Sequence, residues 1–264
     1  MSGFSVEWLD LREPADRAAR DSALAQQALA NLKSGSVVVD LGAGSGSTLR
    51  ALTETGANEI RWRLVDLDDV LLTEASRRHG ATHAIETFLL DLKQPQRLPL
   101  QDAALVTASA LFDLVSAAVV DQLIEHLQSR AIPLYAVLNY DGIMQWQPIH
   151  PLDESVRQQF NLDQKRDKGL GPALGPQAGS YLEHALREKH YDVHVRSTPW
   201  QLGPDDHALV TALIDGIAAA VSQQGELADD ALTAWAEFRR RHVQDGQCTI
   251  GHVDLLAIPQ ENRS

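Results

Sequence analysis

Residues 37–47 read VVVDLGAGSGS: three consecutive valines, an acid at Asp40, then glycines at 42, 44 and 46. An unbroken β-branched run such as Ser36 to Leu41 is the mark of a strand covered on both faces, as in the middle of a parallel sheet. The glycines permit a tight turn and let backbone amides approach a ligand that side chains would hold off. Ser47 or Thr48 is placed to cap a short helix closed by Gly56. The dinucleotide fingerprint G-x-G-x-x-G needs its third glycine where Ser47 stands, so the spacing favours a ligand other than a nicotinamide dinucleotide.

Outward from this loop the chain alternates strand and helix. Trp8 to Leu32 reads as one helical segment, with Pro14 suited to a first turn. After the loop come a strand at Ile60 to Asp66, a helix at Asp69 to His79 closed by Gly80, a strand at Ala84 to Asp91, a strand at Ala104 to Ala108, a helix at Ser116 to Ser129 capped by Ser116, and a strand at Ile132 to Asn139. This order calls for a parallel sheet with right-handed crossovers. Beyond Tyr140 the rhythm changes. Asp141 to Gly175 reads as an irregular insertion with one helix near Asp153 to Phe160. Pro176 opens a helix to about Lys189, Tyr191 to Ser197 alternates as a strand, helices follow at Pro204 to Gln223 and Leu227 to Val243, and Thr249 to Ile258 is a last strand. No linker forces a boundary, so a single domain over 1–264 is expected: an N-terminal helical segment (1–35), a core (36–140) and insertions at 141–175 and 199–247.

The chain has 264 residues, 44% hydrophobic and 22% charged, an ordinary globular composition that excludes a disordered or fibrous protein. Cys248 is the only cysteine, which excludes an intramolecular disulfide, a redox pair and a cysteine-based zinc site. The first residues carry acids where a secretory signal would place its apolar run, and no stretch reaches the roughly 18 apolar residues of a membrane span, so a cytoplasmic protein is expected. A net charge of −13 leaves little to neutralise phosphate backbones. The densest basic run, Arg239-Arg240-Arg241, sits between Glu237 and Asp245 and reads as a solvated helix end. His190 and His194 bracket a strand, where that spacing does not converge on a metal, and no metal site is expected.

D-L-G-A-G-S-G at 40–46 resembles motif I of the class I, Rossmann-like S-adenosylmethionine-dependent methyltransferases, whose usual form is (D/E)-x-G-x-G-x-G. The resemblance covers about 36–140 and continues architecturally beyond. It implies a three-layer α/β sandwich around about seven strands, mostly parallel with the last antiparallel, and helical insertions near the C-terminus. It implies S-adenosylmethionine as cofactor, with S-adenosylhomocysteine as product. Asp40, Gly42, Ala43, Gly44 and Gly46 would form the cofactor loop. Asp66, 20 residues past Gly46, would accept the ribose hydroxyls with Leu67 beside it, although a carboxylate there also suits a helix cap. Asp91 and Leu92, followed by Leu98-Pro99-Leu100 at a spacing a few residues longer than the family's, would meet the adenine. Ser109 would end the fourth strand near the methyl group.

Methyl transfer rests mainly on holding two reactants in line. A base helps when the acceptor is a hydroxyl, and Asp113, Tyr140 and Asp141 stand after the fourth and fifth strands, where open α/β sheets bind ligands. Asp113 equally suits a helix start. Asn139 is a further candidate for the pocket wall, as is Trp146. Lys165, Arg166 and Lys168 form a basic cluster that either pairs with an anionic acceptor or is simply solvated, and Arg12 with Asp16 could close over the amino-acid end of the cofactor. No N-P-P-Y-like tetrapeptide follows the fourth strand and no Pro-Cys nucleophile exists, which, with the acidic charge, makes nucleic acid a poor substrate. A small-molecule acceptor methylated on oxygen or nitrogen is the expectation. The alternatives are a non-catalytic cofactor-binding regulator and a protein methyltransferase.

Overall fold

The computed structural model describes residues 4–56 and 59–260; the outermost residues of the expected domain, 1–3 and 261–264, lie outside them. Among the described residues eight strands form the sheet: β1 (Val37–Leu41), β2 (Arg61–Asp66), β3 (Ala84–Leu89), β4 (Ala103–Ser109), β5 (Leu134–Gln147), β6 (Tyr191–Ser197), β7 (Trp200–Leu202) and β8 (Gln247–Pro259). Their order is β3-β2-β1-β4-β5-β8-β6, with β7 on β8. The β1–β4 block and β5 run parallel, and β8 is antiparallel to β5, β6 and β7. Every residue of β1 is buried, as its β-branched run requires, and β1 pairs with β2 on one side and β4 on the other.

Helices cover both faces: α1 (Val6–Ala19), α2 (Ser22–Leu29), α3 (Ser47–Thr55), α4 (Asp69–His79), α5 (Ala117–Gln128), α6 (Asp153–Asp163), α7 (Ala178–Glu188), α8 (His207–Ser222) and α9 (Asp229–Arg241). Val37, Val39 and Leu41 pack with Leu123 and Ile124 of α5 and Leu182 of α7, whereas Val38 packs with Leu24, Leu49 and Leu72 of α2, α3 and α4. The two-residue period of the strand thus divides the core into the two layers of a sandwich. A third cluster holds Tyr140, Met144 and Trp146 of β5, Trp200 of β7, Ile250 of β8 and the apolar faces of α6, α8 and α9.

Several boundaries differ from the sequence reading. The leading segment is two helices. Arg20 turns extended (ψ 132°), the Asp21 carboxylate accepts from Leu24 N at 2.7 Å, and the Asp21 amide donates to Asp254 at 3.0 Å. Pro14 lies in the interior of α1 rather than its first turn, and Ser5 caps that helix. Gly46, left-handed at φ 87°, occupies the N-cap of α3, so neither Ser47 nor Thr48 caps it. The third strand stops at Leu89, before Asp91. The stretch expected to open an irregular insertion at Asp141 instead prolongs β5 to Gln147, where it pairs with β8 through Met144↔Ile250 and Trp146↔Cys248. Trp146 is therefore core, edge-on to Trp235 at 6.0 Å, and lines neither of the two cavities near the glycine loop. The 239–241 run is a solvated helix end only in part: Arg240, paired with Asp215, and Arg241 are exposed, but Arg239 is 2% exposed and ion-paired to Asp153.

Candidate active site

At the carboxyl end of β1 the chain turns through Gly42 and Gly44, both left-handed (φ 63° and 53°). A Cβ on Gly42 would stand 2.9 Å from Leu111 Cδ1, and one on Gly44 3.1 Å from Leu9 Cδ1. The third glycine has a different reason. A Cβ at Gly46 would meet the His79 ring at 3.0 Å, so Gly46 lets α3 pack against α4 and takes no part in the cavity over the loop. The loop is fastened to β2, because Ala43 N donates to Val65 O (3.1 Å) and Gly44 N to Asp66 Oδ2 (2.8 Å).

A cavity of about 210 Å³ opens over this loop. It brings together Gly42, Ala43, Gly44, Asp66, Leu67, Asp91, Leu92 and Ser109, eight of the ten residues expected at the cofactor. Besides Gly46, Asp40 is the exception. Its carboxylate is buried beneath the loop, where the Thr107 hydroxyl donates to it at 2.7 Å, and burial pushes its pKa up to about 7. Burial also raises the Asp66 carboxyl, against the backbone N–H groups of Gly44, Asp68 and Leu67, which favour the ionised form. Asp68 itself caps α4, its side chain accepting from Val70 N at 3.0 Å.

The roof is α1, which contributes Leu9, Arg12 and Asp16. Arg50 of α3 holds it down, donating to Glu13 Oε1 at 2.6 Å and to Ser45 O at 2.8 Å. Arg12 pairs with Asp16 (2.9 and 3.0 Å) over the Trp200 ring, and Trp200 Nε1–H donates to Asp16 at 3.1 Å.

A larger cavity of about 470 Å³ adjoins the first, and the two share Phe4, Arg12, Ala110, Leu114 and Lys168 as walls. Asp113 and Tyr140 line it; Asp141, whose carboxylate closes a turn by accepting from Ile143 N at 2.9 Å, lines neither. Asp113 lies in a single 3-10 turn after β4 and does not cap α5, whose N-cap is Ser116. Its burial raises its pKa, with the charges of Arg12 and Lys168 opposing. The Tyr140 hydroxyl donates to Asn161 of α6 at 2.8 Å, and Asn139 turns to Val253 O. Of the basic cluster only Lys168 reaches the cavities; Arg166 is taken up by Asp163 and Gln223. Sequence reasoning missed His252, which lines the larger cavity from the middle of β8. A histidine in an alternating apolar strand carries no local sign of what it faces.

Ala110 and Leu138, at the shared wall and in the larger cavity, are non-glycine residues at φ 50° and 56°. They are held there by Ala110 N on Val137 O (2.9 Å) and Leu138 N on Asp254 Oδ1 (2.9 Å). Left-handed backbone of this kind persists only where the surroundings over-determine it.

No family model matches the chain, and no curated protein does. Among solved structures, the YcgJ protein of Bacillus subtilis is similar with a TM-score of 0.55 at 12% identity, over 91% of this chain and 99% of its own. The cyclopropane synthase MmaA2 of Mycobacterium tuberculosis gives 0.51 at 11% identity, over 97% and 95%. A Bacillus halodurans protein provisionally called a methyltransferase gives 0.52 at 14%, over 91% and 99%. The Rossmann-like sandwich expected from the sequence is the fold the chain has, shared with these proteins over nearly their whole length.

Proposed function

We propose that the chain binds S-adenosylmethionine in the smaller cavity and transfers its methyl group to a small molecule in the larger one, on oxygen or nitrogen. The observation that carries this reading is the pair of adjoining cavities over the glycine loop, one with a carboxylate at its β2 edge and the other open and mostly apolar. The fit is physical: Gly42, Ala43 and Gly44 bring backbone to the cavity wall with no side chain larger than a methyl, and the Asp66 carboxylate, with about four acceptor sites, retains capacity beside its backbone donors. When bound, the cofactor supplies a methyl group on a sulfonium, whose sulfur keeps the electron pair as the acceptor takes the carbon. Asp66 would hold the ribose, Asp91 and Leu92 the adenine, and Arg12 with Asp16 the amino-acid end. Asp113 would take the acceptor's proton, which burial favours by raising its basicity. A regulator that only binds the cofactor would have no use for the second cavity.

Calorimetric titration with S-adenosylmethionine, S-adenosylhomocysteine and NAD in parallel tests the reading. Micromolar binding of the two adenosyl ligands and none of NAD is expected; NAD alone, or no binding, would refute it. Asp66→Ala should weaken S-adenosylhomocysteine by about 1–3 kcal/mol, roughly 5- to 150-fold, the scale of hydrogen bonds to a charged group. Wild-type affinity in that variant would remove Asp66 from the ribose. Asp113→Asn should lower kcat by roughly 10²- to 10⁴-fold on an acceptor that loses a proton, and leave cofactor affinity within about twofold. Equal turnover would return Asp113 to a structural role.

A further inference from the structure

Three residues that line the larger cavity each carry a buried polar atom with no hydrogen-bond partner among the described residues: Trp8 Nε1, Asp113 Oδ1 and His252 Nδ1. The indole N–H can only donate, and the carboxylate oxygen, when ionised, can only accept. Buried polar groups are almost always paired, and each exception calls for an explanation. His252 is 5% exposed, its ring held against Trp200 (centroids 4.9 Å apart) and Tyr140 (6.3 Å). Burial, with the Arg12 charge adding to it and a backbone hydrogen bond to Ile250 opposing, lowers its pKa to about 3, so the ring is neutral at physiological pH and one nitrogen keeps a lone pair. The remaining wall is apolar, with Met144, Phe160, Leu213, Ile217 and Ile250. On α8, Ala212, Gly216 and Ala220 face it at four-residue spacing, and no atom stands within 4 Å of where a Gly216 Cβ would be. The charged groups at the rim are already paired. Arg12 is on Asp16, and Lys168 lies 3.7 Å from Asp163 and donates to Gln164 at 2.8 Å, so nothing here demands an anionic ligand.

Building on the acceptor assignment above, we infer that Asp113 and His252 form the polar end of the acceptor site, and that the acceptor is an uncharged, mainly apolar molecule presenting a hydroxyl or amine hydrogen to them. Such a group satisfies the orphaned acceptors while its body lies along the apolar wall and the small-residue face of α8.

The test uses the full chain saturated with S-adenosylhomocysteine and a matched set of probes: 2-naphthol, 2-naphthylamine and 2-methoxynaphthalene. The two donors should bind at least about tenfold more tightly than the ether, one hydrogen bond's worth of discrimination. His252→Phe and Asp113→Ala should each shrink that ratio severalfold with little change for the ether, and His252→Gln, which keeps a polar atom, should restore part of it. Equal binding of naphthol and ether by the unmodified protein overturns the inference whatever the variants do, as does a preference that survives both removals. Failure of S-adenosylhomocysteine itself to bind would instead overturn the methyl-transfer reading, so the two failures are distinguishable.

Discussion

A Gly44→Val variant is expected to bind S-adenosylhomocysteine at least about 100-fold more weakly than the parent, the largest loss of cofactor affinity expected of any single change in the glycine loop. Two physical effects combine. Gly44 sits at φ 53°, where a residue with a Cβ is strained by roughly 1–2 kcal/mol and a β-branched one by more. Its first added carbon would already lie 3.1 Å from Leu9 Cδ1, so the two further methyls must intrude on the space between the loop and α1. The amide that Gly44 donates to Asp66 at 2.8 Å would be displaced as well, carrying the Asp66 carboxylate with it. Gly44→Ala separates the effects: it bears the backbone strain with one carbon only, and should lose far less affinity for a similar lowering of Tm. Calorimetry and thermal unfolding on the same two variants decide it. An unchanged affinity in Gly44→Val beside a lowered Tm would show that the loop faces no ligand.

What the sequence made legible follows the reach of its signals. The valine run and glycine spacing placed β1 and the loop because both are local: burial on two faces selects the first, and close backbone approach the second. Helix α4 and strand β6 were found at their observed bounds for the same reason. The features that escaped depend on distant partners. The break at Arg20 needs Asp254, 233 residues beyond Asp21, to receive the Asp21 amide. The extension of β5 past Tyr140 needs β8 as its partner, although its alternation was present, with Gly142, Met144 and Trp146 inward and Ile143, Gln145 and Gln147 outward. Strand β7, three residues long, has no periodicity to read. His252 came to the larger cavity only through its register opposite Tyr140.

Arg239 is the instance with the largest energetic consequence, because a run of three arginines reads as solvated until Asp153 is placed beneath it. The Asp153 carboxylate meets the Arg239 guanidinium, accepts Trp235 Nε1–H at 2.9 Å and accepts His150 N at 2.8 Å. Arg239 also donates to Pro148 O at 2.6 Å and lies 5.1 Å above the Trp146 ring. Asp153→Ala would leave a guanidinium, 2% exposed, without its counter-charge and an indole N–H without its acceptor. The expected destabilisation is about 3–5 kcal/mol by urea unfolding, a Tm lowered by roughly 10 °C for a chain of this size. Adding Arg239→Met should recover most of it, because the cost lies in the stranded charge rather than in the loss of attraction. A change under about 1 kcal/mol would mean the pair behaves as a surface ion pair and that solvent reaches Arg239. Cofactor binding should survive in the single variant at temperatures where it is folded, since the glycine loop rests on α3 and β2. Acceptor binding should weaken first, because α6, which begins at Asp153, carries Phe160 and Asp163 into the wall of the larger cavity.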